Sequence, residues 1–124
     1  MNPVFHFELP AKDMARAKAF YEKVFGWNIT ASYETYYLAA TTAQTDSAGM
    51  SHAPGIINWA LQQKDETITS LRLVVEVDNL EKAVEKAQNE GASIFIPSKQ
   101  LPHMKYCVII DTEGNEVNLV EKLK

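Results

Sequence analysis

Two stretches of the chain carry the same arrangement of apolar and polar positions. The first, FHFELPAKDMARAKAFYEKVFGW, runs from Phe5 to Trp27 and alternates before changing to a three-and-four spacing. Side chains of a strand point alternately to opposite faces, so Phe5, Phe7 and Leu9 share one face and Val4, His6 and Glu8 the other. Pro10 predicts the end of this strand. Asp13 is then placed to cap a helix reaching about Phe25, with Met14, Ala17, Phe20, Tyr21, Val24 and Phe25 as its buried stripe. Gly26 supplies the left-handed stop. The second stretch, LRLVVEVDNLEKAVEKAQNEG from Leu71 to Gly91, repeats the pattern sixty-six residues later. Here Leu71, Leu73, Val75 and Val77 take the helix-facing role, and Arg72, Val74 and Glu76 the other face. Asp78 is the expected N-cap and Glu81 completes a capping-box pattern. Leu80, Ala83, Val84 and Ala87 form the stripe, and Gly91 stops the helix.

The remaining segments read as strands and turns. Trp27, Ile29, Tyr33, Tyr36 and Tyr37 suit two antiparallel strands between Trp27 and about Thr42, turning near Ser32 to Thr35. The segment TTAQTDSAGMSHAPG predicts a long loop from Thr41 to Gly55 of the length that is usually functional or disordered. Ile56 to Gln62 is a fourth strand, and QKDETIT is a linker. After the second helix, Ser93 to Ile96 predicts a short strand broken by Pro97, and Gln100 to Lys105 a loop. Tyr106 to Ile110 and Glu116 to Glu121 pair through the hairpin turn DTEGN. The order is βαβββ twice, with modules of about 1–62 and 69–124 inside one domain, 1–124. The expected class is α+β: two βαβββ modules forming an open, cleft-containing, barrel-like sheet with helices outside.

Composition narrows the function classes. A chain of 124 residues can bury one core, and 46% apolar with 23% charged residues is an ordinary soluble balance. The net charge of −4, with Lys and Arg scattered, argues against nucleic acid or an anionic membrane as partner. No apolar run is long enough to span a bilayer, and the N-terminus lacks the basic and apolar regions of a signal peptide, so a cytoplasmic location is expected. The single cysteine, Cys107, excludes an intramolecular disulfide. It lies inside a strand with no basic neighbour in sequence, and reads as a small core residue. His52 in the loop and His103 after Pro102 read as surface residues.

Three segments in order, FELPAKDMARAKAFYEKVFGW, VEVDNLEKAVEKAQNEGA and IIDTEGNEVNLVEK, resemble the vicinal oxygen chelate superfamily of glyoxalase I, bleomycin-resistance proteins and extradiol dioxygenases. The resemblance covers essentially the whole chain. It implies paired modules, often in a homodimer, and in metal-dependent members a ligand on the first strand of each module and further ligands on the closing strands. By position these are His6, Arg72 and Asn118, with a fourth near Ile57 to Trp59 where no His or carboxylate stands. A guanidinium has no lone pair to give and repels a cation, and an amide oxygen is a weak ligand. A tight site normally takes three or more protein ligands. The metal site is therefore expected to be lost, no cofactor is expected, and glyoxalase I activity and extradiol cleavage fall with it.

What remains is a polar constellation. His6 and Arg72 are the candidates for chemistry, with Glu8 or Glu76 as ion-pair partners of Arg72. Trp59 and Tyr36 or Tyr37 could wall the ligand, and Asn118 could contact it. Two readings of Arg72 stay open: it offers a cation to an anionic or carbonyl group, or it closes the cavity as a structural ion pair. The function expected is a small-molecule-binding protein, homodimeric, with no nucleic-acid or membrane partner. The alternative is a lyase- or dioxygenase-type enzyme, either with a metal site rebuilt from His6, Glu8 and Glu76 or metal-free with His6 as base and Arg72 as electrophile.

Overall fold

In a computed structural model, residues 1–31, 37–41 and 54–123 are described. The turn expected at 32–35, Tyr36, and loop residues 42–53 with His52 lie outside them. The elements follow the doubled order: β1 (Val4–Ala11), α1 (Met14–Phe25), β2 (Asn28–Ala31), β3 (Tyr37–Thr41) and β4 (Trp59–Gln63), then β5 (Arg72–Glu76), α2 (Leu80–Asn89), β6 (Ser93–Gln100), β7 (Met104–Ile110) and β8 (Glu116–Lys122). This is the α+β class with two βαβββ modules.

The chain divides into two compact units, His6–Leu71 and Met1–Phe5 with Arg72–Lys124. The first five residues thus group with the second module, where the Glu76 N–H donates to the Pro3 carbonyl at 2.9 Å and the Lys122 ammonium lies 4.4 Å from the Phe5 ring centroid. Both units repeat one topology. In the first, the strand order is β2-β3-β4-β1, with β1 parallel to β4 and the other pairs antiparallel. In the second it is β5-β8-β7-β6, with β5 parallel to β8.

Each helix covers one face of its own sheet. Under α1 lie Ile29, Leu38, Ala40, Trp59 and Leu61, packed by Phe7, Leu9, Met14, Ala17 and Tyr21. Under α2 lie Cys107, Ile109 and Leu119, against Val77, Leu80 and Val84 with Val75, Ala83 and Ala87. The α2 stripe is the one the spacing predicts. The α1 stripe is half as wide as expected: Phe20, Val24 and Phe25 are more than half exposed. Residues 14, 17 and 21 set the line that meets the sheet, and positions 20 and 24 are rotated off it onto the flank. Leu71 and Leu73 are also exposed, because α2 packs over the later half of the strand, at Val75 and Val77.

Both prolines expected to end strands lie within them. In β1 the Ala11 carbonyl accepts from Lys64 N–H at 2.9 Å, so Pro10, one residue out of phase, turns its missing donor away from β4. β6 continues through Pro97 to Gln100, and its register against β7 shifts between Ile94 and Ile96 and again before Lys99. It is the outermost strand of its sheet, where a lost ladder bond is tolerated.

The α2 cap is Asn79, not Asp78, accepting from the Lys82 N–H at 2.9 Å. Glu81 then falls in the first turn and binds Lys105 at 3.0 Å instead of closing a capping box. The Leu80 N–H donates to the Glu121 carboxylate at 2.8 Å, so the helix start is held to β8. In α1, Asp13 caps as expected, and Gly26 at φ 70° returns its N–H to the Glu22 carbonyl.

Candidate functional site

The face of each sheet turned away from its helix carries the unusual residues. Among the described residues the buried polar or charged side chains are Glu8, Arg72, Glu116 and Asn118. All lie on the first or fourth strand of a module, at positions out of phase with the apolar residues beneath the helices. Lining up ionisable groups at buried positions is costly unless each is paired, so the pattern is a built feature of both sheets.

In the second module the parallel register sets Leu73 opposite Val117 and Val74 opposite Asn118, which puts Arg72 beside Glu116. Their side chains form an ion pair, Nη1 to Oε1 at 3.6 Å, with 3% and 4% of the side chains exposed. That separation is longer than a charge-assisted hydrogen bond, so the attraction there is chiefly Coulombic. Arg72 thus pairs with Glu116, a partner that the sequence pattern does not single out. Glu76 is taken by Lys122 at 3.3 Å and is partly exposed. Asn118 follows Glu116 on the same face and is buried. Glu116 is the residue that sequence reasoning missed. Alternation puts it on the face of Asn118, two positions on, but only the parallel register of β5 and β8 sets it beside Arg72.

In the first module His6 and Glu8 share their face with Ala60, Gln62 and Tyr37, since Glu8 pairs with Ala60 and Gln62 with Tyr37. Burial pushes the His6 imidazole below its ordinary value of 6.5, and a hydrogen bond with the Asn58 backbone opposes this in part. At neutral pH the ring is uncharged, able to accept a proton or a hydrogen bond. His6 and Arg72 are separated by the sixty-six-residue repeat and hold equivalent places on β1 and β5.

Trp59 lies on the opposite face. It is 1% exposed, stacks on Phe7 at 5.4 Å between ring centroids, and meets Tyr21 and Trp27 edge-on. It belongs to the core beneath α1, and its indole N–H has no hydrogen-bond partner among the described residues. His103 is exposed. Cys107 is buried, its thiol donates to the Ile96 carbonyl at 3.3 Å, and desolvation pushes its pKa up, all properties of a core thiol.

At the position where the resemblance implies a ligand, the second module presents a guanidinium already matched to a carboxylate. Among the described residues no three His, Cys, Asp or Glu side chains come together as a metal-binding group.

The match to known proteins agrees with this architecture. The model of the Glyoxalase/Bleomycin resistance protein/Dioxygenase superfamily matches residues 4–119, and the chain belongs to that superfamily. A superfamily member from Vibrio splendidus 12B01 is similar at 15% identity and a TM-score of 0.67, with 98% of this chain and 99% of that one covered. The Streptomyces coelicolor methylmalonyl-CoA epimerase, in complex with 2-nitronate-propionyl-CoA, is similar at 13% identity and a TM-score of 0.63, covering 98% and 97%. The epimerase from Mycobacterium tuberculosis is similar at 16% and 0.60, covering 97% and 87%. At such identities the likeness is one of fold. No curated protein matches the sequence significantly. No helix among the described residues is long and apolar enough to cross a membrane.

Proposed function

We propose that this protein is a metal-independent small-molecule-binding member of its superfamily, taking its ligand through Arg72 of the second module. The observation that carries the reading is the buried Arg72–Glu116 pair at a position where the superfamily resemblance implies a metal ligand. A fixed guanidinium supplies the positive charge that a metal would, without the exchange of protein ligands that a metal needs. Asn118, buried on the same face of the second module, is a further polar contact; Trp59 is core and is left out of the site.

The test combines elemental analysis with binding. Untagged protein incubated with nickel, zinc, manganese and iron(II) should retain no stoichiometric metal. Ligand hits from a screen of small polar aromatics should lose affinity in Arg72→Gln. A stoichiometric metal, or hits indifferent to that substitution, would sink the proposal.

A second reading is favoured by His6. A partly buried, neutral imidazole has the character of a general base, and metal-free proton abstraction by His6 from a carbonyl compound is an enzymatic reading of the first module. It predicts hydrogen–deuterium exchange at carbon in a bound carbonyl compound, abolished in His6→Gln. Binding without exchange leaves the first reading alone.

A further inference from the structure

We infer that the first module carries a separate binding groove, between the end of β1 and α1, for a small amphipathic anion: an aromatic or alkyl body bearing one carboxylate or sulfonate. The groove lies on the helix side of the first sheet and owes nothing to Arg72, so it stands or falls apart from the function proposed above.

The groove has a volume of about 370 Å³, inside the span of about 300–1,000 Å³ usual for small-ligand pockets. Ala17, Phe20 and Leu61 give it an apolar lining, and Lys12, Asp13 and Arg16 a polar rim. Its β1 edge is held in place. The Ala11 carbonyl accepts from the Lys64 N–H at 2.9 Å, and the Gln63 side-chain amide donates to the Ala11 and Lys12 carbonyls at 3.2 and 3.0 Å. On the other edge three large apolar side chains of α1 stand in water: Phe20, Val24 and Phe25 are each more than half exposed. Phe20 meets Phe25 edge-on at 6.3 Å between ring centroids, so the apolar surface runs out of the groove along the helix. A contiguous exposed patch with a polar rim marks a place where something binds. The rim decides what binds. Lys18 on the same helix is matched to Glu22 at 3.2 Å, whereas the exposed Lys12 and Arg16 side chains have no carboxylate partner among the described residues. Asp13, the carboxylate at the rim, is occupied as the helix cap and accepts from the Arg16 backbone N–H at 3.0 Å. Two cations thus face one anion over an apolar floor, and a ligand with an anionic head and an apolar body matches both features. A second copy docked through its own α1 would, in a two-fold packing about Phe20, set Arg16 of each copy near Lys23 of the other, like charge against like. Charge therefore favours the small anion as occupant.

The probes are naphthylacetate and its uncharged counterpart naphthylacetamide, titrated by calorimetry and followed by the backbone amide shifts of isotope-labelled protein. Both should bind, with shifts centred on Ala11, Lys12, Ala17 and Phe20. The acid should bind about threefold to tenfold more tightly, a preference that shrinks as salt is raised. Lys12→Gln with Arg16→Gln, at two exposed positions, should make the two affinities equal. Phe20→Ala should weaken both probes about fivefold or more. Circular dichroism checks the fold of each variant, and if Phe20→Ala does not fold, the charge variant decides alone. No binding of either probe, equal affinities in the native protein, or a preference that survives in the charge variant would overturn the inference. Shifts centred on Val74 and Asn118 would overturn it too, while leaving the Arg72 reading intact. Sedimentation supplies the last arm: a native dimer that Phe20→Ala dissociates would make this surface a contact between copies and end the case for a ligand groove.

Discussion

Replacing one member of the Arg72–Glu116 pair should be far more damaging than replacing both. The pair sits at 3.6 Å with almost no exposure. At an effective dielectric constant of about 20, that separation corresponds to an attraction of about 5 kcal/mol. Bringing each ion out of water costs several kcal/mol, so the intact pair comes near to breaking even against apolar groups of the same size. Arg72→Met removes the cation that faces buried Glu116, and Glu116→Leu removes the carboxylate that faces Arg72. Each should lower stability by about 3–5 kcal/mol. For a chain of this length that is a fall of about 10–20 °C in melting temperature. The double variant should return to within about 1 kcal/mol of the native protein. Urea denaturation of all four proteins, followed by circular dichroism, gives the coupling directly, provided the m-values agree. The reasoning is refuted if either single substitution costs under about 1 kcal/mol, or if the double loss equals the sum of the singles.

Three further outcomes are expected. Glu121→Ala removes the carboxylate that accepts the Leu80 N–H at 2.8 Å and should destabilise the protein by about 1–2 kcal/mol, with Glu121→Gln losing less; equal stability of all three proteins in urea would show that the contact holds nothing. His6 has a lowered folded-state pKa, so its unfolded form takes up a proton first: the stability it contributes is complete above the ordinary value of 6.5 and declines as pH falls from there towards the folded value. Urea midpoints measured from about pH 8 to about pH 5 should show that decline, and His6→Gln should flatten it. Finally, Arg72→His with Asn118→Glu removes the resident cation and sets an imidazole beside Glu116 and a second carboxylate on the paired strands. Calorimetry should detect nickel or zinc binding that the native protein lacks, and no gain in affinity would refute the strand register used to assign the site.

Much of this architecture is written in local periodicity. The doubled strand-to-helix switch, the alternation of His6 and Glu8 against Phe7 and Leu9, and the α2 stripe all depend on spacing within one element, which a sequence displays directly. Of the four buried polar residues, Glu8 and Arg72 stood out for the same reason, and Asn118 through the superfamily resemblance. What was not legible depends on neighbours in space. Glu116 becomes the partner of Arg72 only through the parallel register of β5 and β8, and nothing local distinguishes it from Glu76. Phe20 and Val24 satisfy helical spacing but lie beyond the width of sheet that α1 covers. Asn79 outcompetes Asp78 as a cap by one position because α2 starts where Glu121 can reach the Leu80 N–H. Pro10 and Pro97 look like terminators until it is known which side of each strand carries the ladder.

The outer strand β6 has a consequence for how copies of this protein can meet. An uncovered strand edge is a template on which another chain can continue the sheet, and long regular edges invite aggregation. β6 offers no regular template. The two register shifts break the spacing of its backbone groups, and Lys99 places a charge along the same run. A neighbour's strand laid against it would find its hydrogen bonds out of step within a few residues. The irregularity that hides this strand from sequence periodicity thus keeps growth by strand addition away from this edge.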